Sequence, residues 1–174
     1  MRTVIDLLRS KVSNMRRDLS GAALVEFTLV APLLLGLAFG MAETGRAFHQ
    51  HHIVEKSVKD AARYAARAPA DWQMCSTLPT NWGTIAGNAQ NVALRGTLDG
   101  SAPLLLDHWN NTSTVTISVA CVTKGTMISP VFNDDIPVIT VSATVPFDDI
   151  GLLGFLGLST FSTTTAHSEM WIGG

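Results

Sequence analysis

From Ala22 to Ala42 the chain runs for 21 residues in which Glu26 is the only ionisable side chain. At about 1.5 Å rise per residue, a helix of that length is about 30 Å long, the thickness of a bilayer's hydrocarbon core. A carboxylate in such a segment costs about 2.5–3.5 kcal/mol near the centre and less toward one end. Something has to offset that cost. The residues just before the segment suggest what does so. Cleavage after Gly21 would create a new α-amine at Ala22, and a neighbouring copy could present that ammonium to Glu26.

Charge orients the segment. Arg2, Arg9, Lys11, Arg16 and Arg17 precede it, against Asp6 and Asp18. This excess of positives places the N-terminus in the cytoplasm and everything from about Glu43 outside the membrane. A secretory signal peptide is the rival reading, but its apolar core is shorter, about 7–15 residues, and is followed by a small-x-small cleavage site. Ala38-Phe39-Gly40 and Met41-Ala42-Glu43 are poor sites of that kind, so a retained anchor is expected. Within it, Pro32 removes one backbone hydrogen bond and favours a kink. Gly36 and Gly40 form a GxxxG pair that lets another helix approach closely, although glycine is also simply common in membrane helices.

Beyond the segment the pattern changes twice. Phe48, Val54, Val58, Ala61, Ala62 and Ala65 recur at helical spacing among charged residues, so 43–68 reads as an amphipathic stalk ended by Pro69. One helix from Ala22 to Ala68 would be about 70 Å long. Lys59, Arg63 and Arg67 are like charges four apart, whose repulsion a nearby acidic surface would relieve. Residues 70–111 are mixed, with Trp72, Trp82 and Trp109 among glycines and prolines, and Ile85–Leu94 fits a short helix. Then the period becomes two. Residues 114–122, 138–145 and 161–171 read as three strands of an antiparallel sheet, with the helix covering one face. Residues 70–174 are enough for one small head domain. Between the last two strands, Ile150–Leu158 is apolar and glycine-rich. Burial under the sheet is the expectation; contact with the membrane surface or with another subunit are the alternatives.

Cys75 and Cys121 both fall in the exported part. They are most simply read as one disulfide, worth about 4 kcal/mol for a loop of this size, with two buried free thiols as the alternative. No zinc-type spacing is present.

With these pieces placed, the chain resembles the TadE-like (TadE/TadG) family of pilin-like proteins of tight-adherence (Tad/Flp) pilus systems. The resemblance rests on Gly21-Ala22-Ala23-Leu24-Val25-Glu26-Phe27 with the run through Pro32 to Leu35, on Phe39-Gly40-Met41-Ala42-Glu43-Thr44-Gly45-Arg46-Ala47-Phe48, and on Asp60-Ala61-Ala62-Arg63-Tyr64-Ala65-Ala66. It implies a minor pseudopilin whose basic leader, residues 1–21, is removed by a prepilin peptidase between Gly21 and Ala22. Glu26 and Phe27 complete the recognition motif, and the 22–42 helix packs among other pilin-like subunits. An uncleaved, membrane-anchored scaffold on the inner-membrane assembly platform is the alternative. The expected setting is the bacterial inner membrane, crossed once, or a cell-surface pilus.

Other chemistries fare poorly. His49, His51, His52 and Glu55 form the one cluster resembling a metal site, but no HExxH or second cluster completes a shell, and a solvated helix face is the better reading. Asp134-Asp135 and Asp148-Asp149 lie beside prolines and read as turns rather than calcium loops. Glu43 and Arg46 are most simply solvated charges at the membrane edge. No GxSxG, SxxK or phosphate-binding glycine pattern occurs. Residues 70–174 carry only Arg95 and Lys124 against eight acids, which disfavours nucleic-acid binding. The stalk, by contrast, has five positives and three negatives, a split that would help register copies in an assembly. The expectation is an α+β, non-enzymatic assembly protein with no cofactor and no metal.

Overall fold

The computed structural model describes residues 19–70, 77–122, 136–155 and 157–171. The leader, Cys75, Trp72 and the Asp134-Asp135 pair lie outside the described residues. The chain divides into two compact units, Met1–Thr44 and Gly45–Gly174.

Helix α1 spans Leu19–Arg67 and continues through Pro32. In the first unit its side chains are exposed almost all round: Leu24, Phe27, Leu29, Leu33 and Met41 each leave 65 % or more of their surface open. That is the pattern of a helix whose partner is lipid or other helices, not its own chain. By length and composition the helix can cross a membrane, and none of its most apolar stretch is buried.

In the second unit the same helix is strongly one-sided. Val54, Val58, Ala61, Ala62 and Ala65 are almost fully buried. Helix α2, Trp82–Arg95, contributes Ile85, Ala89, Ala93 and Leu94 to the same core. It stops where Gly96 adopts φ +72° and donates its N–H to the Val92 carbonyl, a left-handed cap that glycine enters without strain. A single 3-10 turn, Thr112–Thr114, leads into the sheet. Trp109, buried to 1 % exposure, closes one side of the core and donates its Nε1 hydrogen to Thr114 Oγ1 at 2.8 Å.

The sheet is an antiparallel meander of β1 (Val115–Val122), β2 (Ile136–Pro146) and β3 (Ser162–Met170), with β2 central. The register pairs Val115 with Ala143, Ile117 with Val141 and Val119 with Ile139. One face of β1 and β2 therefore carries the apolar set, and Ile139, Val141, Ala143 and Val145 join the core. This is the α+β arrangement the sequence implies. Strand β3 behaves differently. Its register sets Thr163, Thr165, His167 and Glu169 beside Val145, Ala143, Val141 and Ile139, so its core-side face is polar and half-buried. The opposite face of the sheet carries cross-strand hydroxyl pairs, Thr140–Ser168 at 2.8 Å and Thr144–Thr164 at 3.1 Å.

Two expectations are corrected here. Phe48 is 62 % exposed and not part of the core face. At about 100° per residue it stands about 100° away from the stripe of Val58, Ala61 and Ala65, and its six-residue offset from Val54 also turns it about 120° away, so the spacing itself sets it off that face. The described side chains of the Ile150–Leu158 segment are not buried either: a short helix α3, Leu152–Phe155, forms there, and Ile150, Phe155 and Leu158 are 51, 85 and 56 % exposed. The β1–β2 face is already filled by α1 and α2, which leaves no core for it to enter.

Because the buried face of α1 is built from alanine, neighbouring elements lie close to its backbone. Ala62→Leu should lower stability by about 1–3 kcal/mol through overpacking, read as a fall in the thermal midpoint of the full chain in detergent.

Candidate assembly site

The first unit holds the sequence-predicted motif on a single helix. Gly21, Ala22, Glu26 and Phe27 all lie in the first turns of α1 and are exposed. Ala22 and Glu26 are four residues apart, one above the other on the same helix face. An α-amine at Ala22 would thus sit one turn from its own Glu26 and equally within reach of a neighbour's carboxylate.

Farther along, Gly36 and Gly40 face open space, with nothing within 4 Å of where a Cβ would stand. They line an open groove of about 420 Å³ together with Leu37, Met41 and Thr44. Thr44 donates its hydroxyl to the Gly40 carbonyl at 2.8 Å, which turns its polar group inward onto the helix. Small residues thus repeat at 36, 40 and 44 on one face, the spacing at which helix backbones approach closely. Thr44 belongs to this stripe, and the spacing of four after Gly40 is the sequence signal that would have found it. Pro32 is exposed on the same helix.

In the second unit two polar clusters tie α1 to the sheet. The first is built on Asp148, just past β2. Its carbonyl accepts from Arg46 Nη2 at 3.0 Å and Gln50 Nε2 at 2.9 Å, and its N–H donates to Gln50 Oε1 at 3.2 Å. Its carboxylate lies 3.5 Å from Arg46 Nη2 and 3.9 Å from His108 Nδ1. Gln50 therefore bonds both backbone polar groups of one residue, Asp148. Asp149 accepts from the Leu153 N–H at 3.2 Å, anchoring the short helix that follows. Asp148 and Asp149 lie past β2 without regular secondary structure or an assigned turn. Arg46 is bound to the head while staying partly solvated, and Glu43 is 6 % exposed rather than open.

The second cluster joins Arg63, Glu169 and His167. Arg63 Nε is 3.5 Å and His167 Nε2 2.9 Å from the same Glu169 oxygen, Oε1. The hydrogen bond from His167, with the nearby positive charge of His167 and Arg63, holds the Glu169 carboxyl below its ordinary range against a small opposing effect of burial. The acidic neighbour expected for Arg63 is thus found within the same chain.

The histidine cluster stays open. His52 Nδ1 is 3.8 Å from Glu55 Oε2 on an exposed face, and the His51 and His52 rings are 6.2 Å apart. Among the described residues no group of three or more His, Cys, Asp or Glu is placed to hold a metal ion. Cys121 lies opposite Pro137 in the β1–β2 pair.

The arrangement defines a class: a protein with an apolar N-terminal helix long enough to cross a membrane and a small α+β head. Comparison narrows it. Residues 21–63 match the family model described as TadE-like protein, in agreement with the resemblance read from the motifs. This associates the chain with the Tad pilus, and one apolar N-terminal helix fits a membrane-anchored protein of that system. Comparisons with curated proteins and with solved structures gave no match.

Two outcomes follow. Gln50→Leu removes both bonds to the Asp148 peptide and should cost about 1–3 kcal/mol, read by thermal unfolding, with faster protease cutting in the loop after Asp148. Glu169→Gln should lower stability at pH 7 by under about 1 kcal/mol, since the pair is partly solvated. A depressed carboxyl stabilises the fold above its unfolded-state pKa and loses that effect as pH falls through the folded value. The gap in thermal midpoint between wild type and Glu169→Gln should therefore close on titration below about pH 4.

Proposed function

We propose that this protein is a minor pseudopilin of a Tad/Flp-type pilus, assembling through residues 22–44 after its leader is cut between Gly21 and Ala22. The observation that carries the reading is the first unit itself: an apolar helix exposed all round, interrupted by one carboxylate four residues from Ala22. In this reading the freed Ala22 ammonium of one copy neutralises Glu26 of another, and that pairing sets the axial register while apolar side chains supply the packing. Phe27 completes the peptidase's recognition motif. Pro32 and the Gly36–Gly40–Thr44 stripe shape the helix–helix contact. The work is packing rather than catalysis, carried out from the bacterial inner membrane with the N-terminus inside and the head outside. The partners are other pilin-like subunits, the prepilin peptidase, the assembly platform and the lipid bilayer. A disulfide between Cys75 and Cys121 belongs to the same reading, since an exported head sits in an oxidising compartment.

One observation favours a second reading, in which the chain remains an uncleaved anchored scaffold. The Gly21–Ala22 bond lies inside α1, two residues past its start at Leu19, and a helical peptide bond has to unwind before a protease can engage it. Glycine at position 21 lowers the cost of that unwinding.

Intact-mass and N-terminal analysis of native membranes and of sheared surface material separates the two. The pseudopilin reading expects a chain beginning at Ala22, present in the sheared fraction. Glu26→Ala should remove the protein from the sheared fraction. A chain still carrying residues 1–21, found in membranes alone, would leave the scaffold.

A further inference from the structure

We propose that the β2–β3 loop, from Ile150 to Phe161, is embedded in the interfacial layer of the lipid bilayer that holds residues 22–42. This rests on the membrane reading of that segment. Three observations within the second unit lead to it.

The loop's position comes first. Glu169 meets Arg63 and Trp171 Nε1 meets the Ala68 carbonyl at one end of the sheet, while Asp148 is held by Arg46 and Gln50 at the other. Strand β2 thus runs toward residue 46, and the loop begins at that end of the sheet. Residue 46 is four positions beyond Ala42, and at about 3.6 Å per residue chain reach alone keeps it within about 15 Å of the end of the apolar segment.

The second observation is its surface. No charged residue occurs between Ile150 and Phe161. Phe155 is 85 % exposed, Leu158 56 %, Ile150 51 % and Phe161 49 %. Large apolar side chains grouped at the one end of a domain nearest a membrane mark an interaction surface.

The third is its backbone. Bilayers exclude loops whose polar groups are unsatisfied. Here Phe155 N–H donates to Gly151 O at 3.0 Å, Gly157 N–H to Gly154 O at 3.1 Å and Leu158 N–H to Leu153 O at 2.8 Å. At the base, Phe147 and Phe161 stack with ring centres 4.8 Å apart, and Phe147 N–H donates to the Phe161 carbonyl. The loop is a small self-bonded unit that leaves Ile150, Phe155, Leu158 and Phe161 open, the character of an interfacial anchor.

The test uses the full chain in phosphatidylcholine vesicles brominated on the acyl chains. Phe155→Trp is compared with Leu34→Trp in the apolar segment and with Leu78→Trp, which follows Pro69 at the opposite end of the head. Wild-type emission is subtracted in each case. The added emission of Phe155→Trp should be quenched at least about twofold more than that of Leu78→Trp, as for a side chain about 5–10 Å into the interface. Quenching of Leu34→Trp alone, with Phe155→Trp open to aqueous iodide, overturns the proposal and keeps the anchor. Shielding of Phe155→Trp from iodide without bromine quenching also overturns it, in favour of a protein contact. No quenching of Leu34→Trp removes the membrane reading and this proposal with it.

Discussion

The rest of the structure depends on one helix that meets two kinds of surroundings. Up to Ala42, the large apolar side chains of α1 stand out in every direction. From Gly45 onward it gains a core side so narrow that alanine lines most of it. The two halves obey different rules. A helix apolar all round is stable where backbone hydrogen bonds are internal and the surroundings are apolar too. A helix with one alanine face needs closely packed neighbours, since alanine offers little area per residue. The larger surfaces come from elsewhere in the head, from Trp109, Ile139 and Val141.

Charge in this chain works mostly inside one copy. The sequence shows a basic stalk and an acidic head, and the simplest use of that split is attraction between copies. The structure places Arg46 on Asp148 and Arg63 on Glu169 instead. Both pairs are partly solvated, so each adds little stability. Their greater effect is positional. Together with Gln50 they set where the sheet ends along the helix, and hence where the β2–β3 loop emerges.

Elements governed by period and by breakers were legible in the sequence. The three strands and the second helix lie within a few residues of where periodicity put them, Pro69 follows the end of the long helix at Arg67, and the motif from Gly21 to Phe48 pointed to the family that residues 21–63 match. What depended on tertiary partners was not legible. Gln50 carries no signal of its own, because its role depends on the backbone of a residue about a hundred positions away. Ile150–Leu158 looked like core because it is apolar. Whether it could be core depended on how much of the sheet α1 and α2 already covered, which composition does not encode. The polar inner face of β3 had the same origin: it follows from register, set by Arg63–Glu169 and Trp171, not from hydrophobic alternation.

With Arg46 and Arg63 engaged inside the chain, the cations left on the stalk are Lys56, Lys59 and Arg67, all exposed. Their acidic counterparts on the same helix, Glu55 and Asp60, are also exposed. At physiological salt such charges act over about 8 Å and discriminate weakly. In the pseudopilin reading proposed above, register between copies would therefore come from the uncharged helix and from the one carboxylate within it. In water Glu26 would be a minor surface charge. In the apolar segment it is the single group whose cost changes sharply with what faces it. That asymmetry makes it suited to specify one axial position among the many that apolar side chains alone would accept.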